Sequence, residues 1–141
     1  MGDPMMRTRQ HSGAPRGFTL IEAVVVMAVA AILAAVAIPN YSEYVMRSHR
    51  SAVQSFISDV ASRQSQFFVD RRSYAATVAA LNMTPPAEVA ARYAIAIAVV
   101  AGPPAGFQVS ATPIGTQATD RCGLLTIDQA GNRTAVSNRC W

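Results

Sequence analysis

One acid, Glu22, stands near the head of a run from Phe18 to Ile38 that is otherwise without charge. A bare carboxylate is costly in hydrocarbon, so an acid in such a run is a functional hypothesis in itself: it should meet a cation. Cys122 and Cys140 are the second set of residues with chemistry to offer. In an exported domain they would join in a disulfide, closing a loop worth about 3 kcal/mol; elsewhere they would stay two thiols. Zinc lacks a ligand set, because no His accompanies them. No Ser/His/Asp set and no carboxylate pair on one element is visible. The two His are His11, near the start, and His49, on what reads as a solvated helix face. These residues argue against an enzyme and require no cofactor or metal.

The elements around Glu22 set its meaning. Residues 1–16 are polar and mostly basic, which keeps that end cytoplasmic. The apolar run that follows is about long enough to cross a bilayer as a helix. At 141 residues there is room for one domain besides this anchor. Arg7, Arg9 and Arg16 against Asp3 mean that loss of residues 1–17 would take the formal charge from +4 to +2. That is too little to predict nucleic-acid binding on its own. Two simple readings exist. In one, a secretory signal is cut after Ala35-Val36-Ala37; in the other, the run is an unprocessed anchor. Neither accounts for Gly17 directly before Phe18, nor for the acid beyond it.

Gly17-Phe18-Thr19-Leu20-Ile21-Glu22 resembles the processing motif of type IV prepilins, and Pro39-Asn40-Tyr41 falls where that family carries a proline. The resemblance implies that a prepilin peptidase cuts between Gly17 and Phe18 and methylates the new N-terminus at Phe18. It also implies that Glu22 pairs with the N-terminal amine of a neighbouring subunit and sets the register of a filament. The plainer role for Glu22 is an acid favoured by the positive end of a helix dipole.

Pro39 removes a backbone donor, so a kink is expected within a continuing helix. Val45, Ala52, Phe56, Val60 and Phe67 recur at helical spacings, with Ile57 and Phe68 beside them. Arg50, Ser58, Arg63 and Ser65 read as the opposite, solvated face. The helix is expected to end at Asp70-Arg71-Arg72-Ser73. A long connection over 73–92 follows, with a helical turn between Ala75 and Leu81. Alternation then predicts strands at Tyr93–Val100 and around Phe107, Val109 and Ala111, a third over Cys122–Asp128, and a fourth near Arg133–Val136 after a turn at Gly131-Asn132.

The expected fold class is therefore α+β: one long N-terminal helix packed on a small antiparallel sheet of about four strands. The domains are a basic leader at 1–17, a transmembrane and assembly helix at 18–39, and a helix-plus-sheet domain at 40–141. Tyr93-Ala94-Ile95, Pro113, Gln117, Asp120-Arg121-Cys122-Gly123, Leu125-Thr126-Ile127-Asp128, Gly131 and Cys140-Trp141 resemble short minor pilins related to pilus-assembly and DNA-uptake pilins. That resemblance implies a filament subunit, first held in the bacterial inner membrane and then carried into an extracellular pilus. The implied partners are other pilins, the peptidase, a platform protein and an ATPase. Two alternatives stand beside it. One is a DNA-uptake pilin, with Arg71, Arg72, Arg92, Arg121, Arg133 and Arg139 as a phosphate-neutralising stripe. The other is a type II secretion pseudopilin, against which the cysteines near the C-terminus argue by resemblance.

Overall fold

In the computed structural model residues 17–141 are described, except the side chains of residues 38–40. The expected leader at 1–17 lies outside them except for Gly17. The chain divides into two units, one up to Pro39 and one from Asn40 to Trp141.

A single helix, α1 (Leu20–Arg71), contributes to both units. Its first part exposes Leu20, Ile21, Val24, Met27, Ile32 and Leu33. This helix is long and apolar enough to cross a membrane by length and composition. The backbone stays helical through Pro39, as expected. The expected kink falls on residues 38–40, outside the described side chains.

The unit from Asn40 holds the whole core, all four strands and the disulfide, and so has what a domain needs to fold alone. Here α1 buries Arg50, Val53, Phe56, Ile57, Val60 and Gln64, a stripe at three- and four-residue steps. Arg50 was expected on the solvated face; it is buried instead. It lies three residues before Val53, in phase with the apolar stripe, so its stem packs inward and its head finds a partner. Gln64 extends the stripe at the other end. Its side chain accepts from the Ala75 N–H at 2.9 Å and donates to the Ala75 carbonyl at 2.6 Å, pinning the chain where it turns back.

The connection carries a 3₁₀ turn at Ala79–Leu81 and a short helix, α2 (Ala87–Ala90), that the sequence did not announce. Four strands follow in sheet order β1-β2-β3-β4, each antiparallel to its neighbour. They are β1 (Tyr93–Val100), β2 (Gly106–Pro113), β3 (Leu125–Asp128) and β4 (Arg133–Thr134). The third strand is shorter than expected. Asp120 begins a turn at Arg121-Cys122, and Gly123 there takes φ +54°, a backbone that bars an extended strand. Phe107, Val109, Ala111, Leu125 and Ile127 share the inner face and pack on Val53, Ile57 and Val60. Asp128 holds the β3–β4 turn by accepting from the N–H groups of Ala130 and Asn132, both at 2.9 Å. These bonds, with that from the Asn132 side chain foremost, hold its carboxyl below the usual carboxylate range.

Candidate functional site

Two carboxylates carry the chemistry, one in each unit. At the helix head, Gly17 and Phe18 lie in non-helical backbone and are exposed. Among the described residues, no atom outside its chain neighbours would come within 4 Å of a Cβ at Gly17. Thr19 precedes the first turn. Its hydroxyl accepts from the Glu22 N–H at 3.3 Å, and its carbonyl accepts from the Ala23 N–H at 3.2 Å. Thr19 is thus an N-cap, and Thr19-x-x-Glu22 has the spacing of a capping box. The sequence displayed this signal, and the reading of Glu22 as a lone acid passed over it. The cap engages the Glu22 backbone; among the described residues the Glu22 carboxylate has no ion-pair partner. The peptide between Gly17 and Phe18 therefore lies in exposed, non-helical backbone just ahead of the helix start.

In the second unit the central group is Asp120. The Arg50 guanidinium grips it with two bonds, Nε to Oδ2 at 3.0 Å and Nη2 to Oδ1 at 2.6 Å. The Cys122 N–H donates to Oδ1 at 3.0 Å and the Gln117 amide to Oδ2 at 2.9 Å. The same amide reaches the Met46 carbonyl at 3.1 Å. Burial alone would raise the Asp120 carboxyl; its donors, Arg50 foremost, outweigh that and hold it below the usual carboxylate range. Beside this node the Tyr93 hydroxyl is buried and, among the described residues, has no hydrogen-bond partner. Its pKa is pushed up to about 12, first by burial and then by the Asp120 charge. Gln117 and the Arg50 charge offset this only in part. His49 was expected to be solvated, but it is half-buried and its Nε2 is shut off from solvent and, among the described residues, unpartnered. It sits where α1 meets the 3₁₀ turn Gly115–Thr119, beside Met46 and Gln117.

The node is continuous with the C-terminal staple. Cys122 and Cys140 are joined, with Cα atoms 5.6 Å apart, closing a span of 18 residues. The Gln54 side chain donates to the Cys140 carbonyl. Trp141 donates its indole N–H to the Thr134 carbonyl at 2.8 Å, and the Arg133 guanidinium lies 5.2 Å above its ring. Arg50, Gln117 and Tyr93 were absent from the expected site. The available signals were helical phase for Arg50 and the cluster Gln117…Asp120-Arg121-Cys122, whose polar members need partners once the cysteine is buried.

The six Arg considered for phosphate contact are spread out. Arg71 lies 5.4 Å from the Phe67 ring centre, and Arg72 follows in left-handed backbone. Arg92 donates to the Thr116 hydroxyl at 3.1 Å. Arg121 pairs with Glu43 at 2.9 Å, Arg133 covers Trp141, and Arg139 is exposed. Arg71, Arg92 and Arg133 line three different depressions.

A capped apolar helix with an acid in its first turn leads into a disulfide-stapled helix-and-sheet unit, the plan of a small head carried on a long apolar N-terminal helix. Residues 39–126 match the family described as "Type IV minor pilin ComP, DNA uptake sequence receptor", and residues 14–38 match the prokaryotic N-terminal methylation motif. The chain belongs to the type IV pilin family. It is 33% identical to the type IV major pilin protein PilA of Myxococcus xanthus over 69% of this chain and 43% of that protein. It is 41% identical to the type IV wide pilus major component PilA4 of Thermus thermophilus over 47% of this chain and 50% of that protein. The alignments thus span about half the length of these curated relatives. A type IV pilin structure from Shewanella oneidensis matches with a TM-score of 0.54 at 23% identity, covering 68% of this chain and 97% of that one, a likeness of fold.

Proposed function

We propose that the chain is a minor subunit of a type IV pilus. It is cut between Gly17 and Phe18, methylated at Phe18, and built into a filament through its apolar helix. The observation that carries this reading is the Glu22 carboxylate, without a partner among the described residues, in the first turn of an exposed apolar helix just after an exposed Gly17–Phe18 peptide. Cutting there leaves an ammonium close to Glu22. In a filament the carboxylate meets the ammonium of a neighbouring subunit, which offsets the desolvation of both charges and fixes axial register. Pro39 loosens the helix locally so that it can adapt between lipid and filament. Head-to-tail addition of such helices generates an open helical fibre. A prepilin peptidase, a platform protein and an ATPase are the partners this route needs, and the inner membrane is where it starts. Mass analysis of the mature N-terminus from native membranes tests the reading. Methyl-Phe18 is expected; a chain starting after Ala37 would falsify it.

The family match favours a second reading, DNA uptake, since its description names a DNA uptake sequence receptor. Arg71, Arg72, Arg92, Arg121, Arg133 and Arg139 would then supply phosphate contacts, with Arg121 shared with Glu43 and Arg71 and Arg133 lying over aromatic rings. The unit over residues 40–141 would retard duplex DNA with an affinity falling steeply as salt rises. Absence of any shift at low salt removes this reading and leaves the filament reading untouched.

A further inference from the structure

The two edges of the sheet are built differently. β4 is two residues long and carries Arg133, which is how proteins blunt an edge. β1 is eight residues long, pairs with β2 in unbroken register, and has no charge, proline or bulge. No Asp, Glu, Lys, Arg or His occurs anywhere from Tyr93 to Thr119. The Ile114 N–H donates to the Arg92 carbonyl at 2.8 Å. This sets the ladder phase: Ala94, Ala96, Ala98 and Val100 turn their peptide groups toward β2. The N–H and C=O groups of Ile95, Ile97 and Val99 consequently face away from the sheet. Among the described residues they have no hydrogen-bond partner. Beside this row runs a groove of about 440 Å³ between β1 and the 73–92 connection, lined by Thr77, Val78, Pro85, Ile95 and Ile97, with no charged group.

A free row of backbone donors and acceptors specifies a polypeptide strand as occupant, and the uncharged lining excludes a charged one, which would be buried unpaired. β1 itself meets this description. We propose that the β1 edge is a homotypic docking site, where β1 of a second copy adds antiparallel about a two-fold axis near Ile97. Ile97 then faces its twin and Ile95 faces Val99 of the other copy in both directions. The bulky residues of the two strands share the helix-bearing face, so cross-strand apolar pairs form as the free peptide groups are satisfied. Arg92 comes opposite Gly102 of the second copy, so no like charges meet. The contact is isologous and closes on itself, joining heads in pairs and not extending a fibre. It stands apart from the filament reading, because it needs no part of the apolar helix.

The test uses the unit over residues 40–141 with its disulfide intact, in sedimentation equilibrium from micromolar to millimolar concentrations. A concentration-dependent dimer is expected. Val99→Pro deletes an outward N–H that β2 does not use, so the fold survives while the dimer Kd rises about tenfold or more. Should that variant misfold, Ile97→Cys serves instead: the thiols meet across the axis and give a covalent dimer under mild oxidation, whereas Ala98→Cys gives much less. A unit that is monomeric throughout the range overturns the proposal. So does a dimer indifferent to Val99→Pro, or equal crosslinking at positions 97 and 98.

Discussion

Glu22 and Asp120 are both acids on an apolar background, and they are treated in opposite ways. Asp120 is fully enclosed by partners from its own unit: two bonds from Arg50, one from Gln117 and one from the Cys122 backbone. Glu22 has its backbone capped by Thr19, and among the described residues its carboxylate has no ion-pair partner. A charge satisfied inside the chain ties elements together. A charge left open on a greasy helix is satisfied by another molecule or remains a cost. Asp120 thus holds the head together, while Glu22 is the acid proposed to hold the subunit to its neighbours.

The sharpest way to break this comparison is Glu22→Leu. Piliation should be lost while the melting temperature of the head is unchanged; normal fibres, in a strain that loses them when the gene is deleted, would remove the distinction. Asp120→Ala should do the reverse. It strands a buried guanidinium and is expected to cost about 3–5 kcal/mol. For a unit of this size that lowers Tm on the order of 15 °C in a thermal melt. The pair also sets an acid limit. The Asp120 pKa is depressed in the fold, so its contribution is present above the ordinary value of 3.8 and is lost as pH falls through the folded value. Acid unfolding of the parent protein should steepen below pH 3.8, and the Asp120→Ala variant should lack that step.

Replacing Cys122 and Cys140 together by Ser should cost about 3 kcal/mol by the loop it opens. Denaturant melts would show it, with the loss centred on the C-terminal segment in hydrogen exchange. The smallest effect is assigned to Tyr93→Phe. Among the described residues the hydroxyl has no partner to lose, so stability at neutral pH should hold or rise by about 1 kcal/mol. In the parent protein the Tyr93 pKa is raised from 10.0 to about 12. Its contribution is therefore present below pH 10 and is lost as pH climbs toward 12. The Phe variant should not show that alkaline decline, and a decline of equal size in both would place its cause elsewhere.

Much of this was legible in one dimension, because period and punctuation are local. The apolar run, the helix end at Arg71, strands β1 and β2, and the turn at Gly131-Asn132 all follow from residues within a few positions of one another. The Cys122–Cys140 bond needed only a compartment argument. What escaped was decided by distant partners. Arg50 reads as a surface charge until Asp120, seventy positions later, comes within reach. His49 reads as solvated until the Gly115–Thr119 turn folds beside it. The third strand is shorter than its alternation suggests because Asp120 and Gly123 fold the chain between them into a turn, with the Gly123 N–H donating to the Asp120 carbonyl at 3.0 Å.

By itself, then, the order of residues determined the membrane-grade helix, the helix-then-sheet sequence and the family. Spacing and hydropathy act along the chain, and they need no partner. Tertiary structure alone decided which charges are interior, which tyrosine loses its water, and which sheet edge is left open. Those depend on what packs across the sheet from residues far away in sequence, and burial turns the same side chain from a solvated ornament into a fixed contact.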